Sequence, residues 1–201
     1  MCWWTARDCA FAGEWLLEKH GTKMRRSWRK LHIGLDAGSG QIVAASLTGK
    51  EVGDGAEIGF LLDQVTSVVA SFIAEGGYDQ DRAYAGVAER YPKAAVVVAS
   101  RTTAVPSDTA ETEPMQRDRH LQHVEPRGLP DIAEHGRIAW QKASGYMMQA
   151  RAEAAIGRFK QVIGDGLRSR TDDRRATEVD VAVHALNRMT DLGRPNYVRT
   201  A

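Results

Sequence analysis

Residues 30–48 read KLHIGLDAGSGQIVAASLT. Leu31, Ile33 and Leu35 alternate with other residues, which is the two-residue period of a strand. Ala37-Gly38-Ser39-Gly40 is turn chemistry, and residues 41–48 (QIVAASLT) supply a second strand. The stretch therefore predicts a hairpin. Working outward, residues 56–69 carry Ile58, Leu61, Leu62 and Val65 at helical spacing, with Asp54 placed to cap them. Residues 71–74 form a short apolar run that ends in Glu75-Gly76-Gly77, read as a strand entering a loop. Residues 81–91 predict a helix stopped by Pro92. Residues 94–99 (AAVVVA) are the continuous apolar run of a strand buried on both faces. Residues 101–131 are polar, hold four prolines and show no period, so they predict a long loop or insertion. Helices are expected over 145–164 and 176–192. Strands alternating with helices make an α/β chain with a mixed sheet.

Composition bounds the function classes. The chain has 201 residues, 43% hydrophobic, 26% charged, with formal net charge +1. These are globular values that suit one domain. Near-neutral charge argues against a uniformly basic nucleic-acid binder, though an average can hide a patch. Two cysteines, Cys2 and Cys9, make no disulfide framework. No stretch reaches the roughly 18 apolar residues of a membrane span, and Arg7 and Asp8 interrupt any leader. The expected setting is cytoplasmic, with no membrane partner.

Three stretches could carry chemistry. Residues 19–32 (KHGTKMRRSWRKLH) hold Lys19, Lys23, Arg25, Arg26, Arg29 and Lys30, no acid, and Trp28 among them. Cations neutralise phosphates and an indole stacks on a base. A solvated loop with Trp28 in the core is an equal reading. Tyr146, Gln149, Glu153 and Lys160 are spaced to share one helix face. A surface salt-bridge stripe is the plainer alternative. Glu75 stands at a strand end, where α/β sheets build sites. His120, His123 and His135 lack cysteine partners and the fixed spacing of a metal site.

Together these stretches resemble a known family. Gly13-Glu14-Trp15, Lys19-His20-Gly21, the segment Arg26 to His32, and Ala74-Glu75-Gly76-Gly77-Tyr78-Asp79 are similar to the catalytic domain of bacterial insertion-sequence transposases. So is the closing signature Tyr-x2-Arg-x3-Glu-x6-Lys, here Tyr146, Gln149, Glu153 and Lys160. The resemblance implies a ribonuclease-H-like mixed sheet flanked by helices. It also implies a DDE site in which two aspartates and a glutamate hold two divalent metals, Mg2+ or Mn2+, for DNA cleavage and strand transfer. Under it, Glu75 and Glu153 are the catalytic and metal-holding residues. Arg25, Arg26, Trp28, Arg29, Lys30, Tyr146 and Lys160 meet DNA, both element ends and target. A second copy or an intact transposase is the expected protein partner.

The departures matter as much. Glu75 stands for an aspartate and Gln149 for the signature arginine. The first aspartate, expected in a Val-Leu-Val-Asp-Ser-Thr-Gly-Leu strand just before Gly13, is absent, and the first strand is expected to be missing or corrupted. The genetic code offers a reason. Met-Cys-Trp-Trp-Thr must be encoded ATG TGY TGG TGG ACN. Read from the third base this is GTG YTG GTG GAC, Val-Leu-Val-Asp, and Ala6 to Cys9 permit Ser-Thr-Gly-Leu when Arg7 uses a CGN codon. Residues 1–12 are therefore read as an out-of-frame segment, 13–199 as the DDE catalytic domain with an irregular insertion at about 101–131, and the chain as truncated and degenerate. A non-catalytic DNA-binding remnant is the alternative, and an untranslated frame a third. Sequencing the encoding DNA tests the frame: a CGN codon at Arg7 is expected, and an AGR codon counts against it.

Overall fold

The computed structural model describes residues 2–9, 29–101, 103–124, 138–164 and 166–193, with the backbone alone for 2–9, 120 and 122–124. Five strands form one sheet: β1 (Cys2–Cys9), β2 (Arg29–Asp36), β3 (Ile42–Gly49), β4 (Ser71–Ala74) and β5 (Ala95–Val98). Their order is β3-β2-β1-β4-β5. The first three run antiparallel to their neighbours, while β1, β4 and β5 run parallel. This is the ribonuclease-H-like mixed sheet that the resemblance implies.

The helices cover both faces. On one side lie α1 (Ile58–Asp63) and α2 (Asp81–Arg90). On the other lie α5 (Gln149–Val162) and α6 (Asp172–Leu192). Between them in the chain come α3 (Gln116–Val124) and the helical residues 138–144, α4. Alternation sorts the side chains of each strand. Phe72, Ala74, Val96 and Val98 join Leu61, Leu62 and Val87 in one core. Leu31, Ile33, Leu35, Ile73 and Val97 join Ile156, Phe159, Val183 and Leu186 in the other. β4 is buried along its whole length, as its uninterrupted apolar sequence requires.

β3 is an edge strand, and two side-chain amides close its open backbone. Asn187 of α6 accepts from the Ile42 N–H and donates to the Ile42 carbonyl, each at 2.8 Å. Gln64 does the same at Ala45, at 3.1 and 3.0 Å. Unpaired ladder groups at an edge invite pairing with other chains, and these clasps occupy them.

Several expectations are corrected. The first strand is not missing: Cys2–Cys9 forms the centre of the sheet, and Asp8 lies within it, level with Lys30. Backbone pairing does not depend on side-chain identity, and Trp and Thr suit a strand. The helix expected over 56–69 is a 3-10 turn (Asp54–Ala56) followed by the short α1. Its end is set by Gln64, whose side chain turns to the β3 edge. The loop expected at 101–131 contains α3, while 125–131 lie outside the described residues. The helix expected over 145–164 begins as a 3-10 turn (Tyr146–Met148) after Gly145, whose φ of 74° interrupts the helix. α6 starts four residues earlier than its apolar pattern, with Asp172 and Asp173 in its first turn favoured by the helix dipole.

Phe159 is 1% exposed in the core beneath α5. Truncating a buried Phe costs about 3–5 kcal/mol. Phe159→Ala is expected to lower the unfolding free energy by that amount in urea titration.

Candidate active site

The parallel pair β1–β4 sets the geometry. Cys2, Trp3 and Trp4 lie level with Phe72, Ile73 and Ala74. Carrying that register on by one residue brings Thr5 level with Glu75. Asp8 is three residues further along β1, roughly 10 Å at about 3.3 Å per residue.

Glu75 leaves β4 in extended conformation (φ −73°, ψ 167°) and opens the 3-10 turn Gly76–Tyr78. Its charge bears on two phenols. Tyr78 is buried, and its hydroxyl is pushed well above the ordinary tyrosine range by burial first, then by the charges of Asp54, Glu75 and Glu57. Tyr146 is half-buried and also raised, by burial first, then by the charges of Glu75 and Glu153. One tyrosine thus feels both glutamates, which brings Glu75 and Glu153 to a common neighbourhood. The Tyr146 ring packs on Trp140, with centroids 5.4 Å apart. Glu153 and Lys160 are exposed on α5, whereas Gln149, one turn before Glu153, is buried. Tyr146 stands on the preceding 3-10 turn, not on the α-helix that carries the other three.

The turn after Glu75 is clamped. Arg101 donates from Nε to the Gly76 carbonyl at 2.8 Å and from Nη2 to the Gly77 carbonyl at 2.9 Å. Buried Asp79 accepts from the Arg101 N–H at 3.1 Å and from Arg117 Nε at 2.7 Å. That second bond, the largest influence on it, raises the Arg117 guanidinium further. Both glycines sit at close approaches: a Cβ on Gly76 would lie 3.1 Å from the Ala99 carbonyl, and one on Gly77 would lie 2.3 Å from Asp54 Oδ2. Arg101, Asp79 and Arg117 were not singled out from sequence. Asp79 stands in the quoted Glu-Gly-Gly-Tyr-Asp run, but Arg117 lies in a stretch without period, so nothing linked them.

The basic segment is only partly described. Arg25, Arg26 and Trp28 lie outside the described residues. Arg29 pairs with Asp172 at 2.6 Å, and Asp172 also meets Arg175 at 2.9 Å. The bond from Arg29, then that from Arg175, holds the Asp172 carboxyl below its usual range. Lys30 donates to the Val52 carbonyl and to Asp54 Oδ1, both at 3.1 Å. Both cations therefore tie β2 to its neighbours. His135 lies outside the described residues, as do the side chains of His120 and His123.

Two carboxylates around a tyrosine can hold a cation or a proton, but a two-metal centre needs more ligands. Among the described residues, no group of three His, Cys, Asp or Glu side chains gathers to hold a metal ion. The position level with Glu75 on β1 is a threonine. The described side chains do not make up a two-metal site. No helix among the described residues is long and apolar enough to cross a membrane.

A family model described as a transposase DDE domain matches residues 4–188. Among solved structures, a piggyBac transposase in a synaptic complex with hairpin DNA is similar at 12% identity and a TM-score of 0.36, over 56% of this chain and 26% of that one. This chain thus spans about a quarter of that protein's length.

Removing one partner of a buried ion pair costs about 3–5 kcal/mol, whereas an exposed pair contributes about 0–1 kcal/mol. Asp79 and Arg117 are 1% and 13% exposed at their side chains, against 74% for Asp172. Arg117→Ala is expected to destabilise by about 3 kcal/mol or more, and Arg29→Ala by under about 1 kcal/mol. Paired urea titrations check the contrast.

Proposed function

This chain belongs to the transposase DDE domain family, and from that premise we propose that it is the catalytic domain of a DNA transposase whose cleavage centre has degenerated. The family acts on DNA and generally uses divalent metal ions. The observation that carries the reading is the parallel register that sets Trp4 level with Ala74, which carried on by one residue brings Thr5 beside Glu75. At the place where a first carboxylate belongs stands a hydroxyl.

Glu75 and Glu153 are the remaining carboxylates, gathered about Tyr146. Glu75 reaches one methylene further than an aspartate. A carboxylate moved by that length no longer sets attacking and leaving oxygens in line. Mg2+ or Mn2+ is the ion this family site would take, and the described side chains do not complete its shell. Lys160, exposed on α5, and Tyr146 are the DNA-facing groups of the signature, with Arg25, Arg26, Trp28, Arg29 and Lys30 assigned to the same role.

The out-of-frame reading of residues 1–12 supports this assignment. The aspartate codon in the alternative frame straddles Trp4 and Thr5. Those residues stand level with the end of β4 and the glutamate that follows it. Codon phase and strand register are independent, and both support the reading. Residues 13–199 are assigned to the catalytic domain.

A second reading is a DNA-binding remnant that occupies element ends or pairs with an intact transposase. The exposure of Lys160 on a complete α5 favours it, since phosphate contacts need no metal. Salt-sensitive DNA binding that survives Glu153→Gln is its expected mark.

With Mg2+ or Mn2+, the full chain is expected to leave duplex element ends uncut. The Thr5→Asp/Glu75→Asp variant is expected to bind Mn2+ measurably in calorimetry where the parent does not. Robust cleavage by the unaltered chain refutes the degenerate reading.

A further inference from the structure

Away from the carboxylates, the opposite face of α5 borders a pocket of about 300 Å3. Leu35 and Gly40 of the β2–β3 hairpin form one wall, and Arg151, Ala154, Ala155 and Arg158 of α5 form the other. The two alanines leave the space open, and Gly40, at φ 75°, brings bare backbone to its rim. Arg151 and Arg158 are seven residues apart, so two helical turns place them on one face. Glu153 and Lys160 lie on the other side of the helix.

Arg29, Arg90, Arg117 and Arg175 each bond a carboxylate. Among the described residues, Arg151 and Arg158 have no ion pair. Arg151 donates to the Ala37 carbonyl. Arg158 donates from Nη1 to Thr190 Oγ1 at 2.6 Å, while its Nε and Nη2 are shielded from water and lack a hydrogen-bond partner. A guanidinium shielded from water with three N–H bonds unused is costly unless an anion takes them. The hairpin's own acid does not serve: the Asp36 carboxylate accepts from the amides of Gly38 and Ser39 and from the Ser39 hydroxyl.

We propose that this pocket binds a phosphate group, with Arg158 and Arg151 as a two-pronged clamp, and that its source is the backbone of duplex DNA. Planar guanidinium groups match phosphate oxygens in paired hydrogen bonds. The choice of DNA rests on the transposase reading above; the phosphate chemistry does not.

The test uses the full chain in two measurements. The first is the thermal midpoint in inorganic phosphate against chloride at equal ionic strength. The second is the salt dependence of duplex DNA binding. Phosphate is expected to raise the midpoint of the parent but not of Arg158→Gln. The same variant is expected to weaken DNA binding at every sequence and to lower the slope of log K against log salt by about one. Should Arg158→Gln fail to fold, Arg151→Gln replaces it, because that side chain is exposed and its loss leaves the cores intact. Stabilisation by phosphate with an unchanged DNA slope assigns the pocket to free phosphate and overturns the DNA source. Stabilisation of a chain that binds no DNA at all sinks the transposase reading while the pocket stands. No response to phosphate and an unchanged slope overturn the pocket itself.

Discussion

The sheet depends on one strand having two different neighbours. β1 pairs antiparallel with β2 on one side and parallel with β4 on the other. Without it, the β2–β3 hairpin and the β4–β5 pair share no ladder, and both cores lose their floor. The constraint falls on backbone hydrogen bonds, which any non-proline sequence can make. CWWTARDC satisfies it although it bears no likeness to the Val-Leu-Val-Asp strand of the family. The ladder forms whatever side chains the strand carries.

The same seam explains the position of the remaining site groups. β4 must be parallel to β1 for Glu75 to emerge beside Thr5, and α5, which carries Glu153, packs on the sheet face of Ile73 and Val97. The turn after Glu75 has little freedom, because Arg101 holds two of its carbonyls and Asp79 is anchored to Arg117. Two of these three residues come from a stretch with no apolar period. α3 exists there because Arg117 is drawn to Asp79, and because Asp118 gathers the amides of Ser107 and Met115. The Asp118 carboxyl lies below its usual range for that reason, with the Ser107 amide the largest cause.

Near-neutral net charge conceals how unevenly the cations are used. Arg29 and Lys30, read from sequence as part of a basic DNA segment, are joined to Asp172 and Asp54. Arg151 and Arg158, which no motif marks, have no acidic partner among the described residues and flank a pocket. Charge counted along the chain cannot distinguish these cases. Partnership is decided by residues distant in the chain: Asp172 lies 143 positions from Arg29, and Thr190 lies 32 positions from Arg158.

The sequence by itself determined the hairpin, the buried strands β4 and β5, the helices α2 and α6 in outline, and the resemblance that names Glu75 and Glu153. Those features rest on period, turn chemistry and local spacing, which are written in consecutive residues. Tertiary structure alone decided that Cys2–Cys9 is the central strand, because backbone ladders accept a sequence without the expected pattern. It decided that Thr5 stands level with Glu75, since register is a relation between segments some seventy residues apart. It also decided which arginines are spent on carboxylates and which are not. Each of these is a long-range pairing, and the residues that complete it lie far away in the chain.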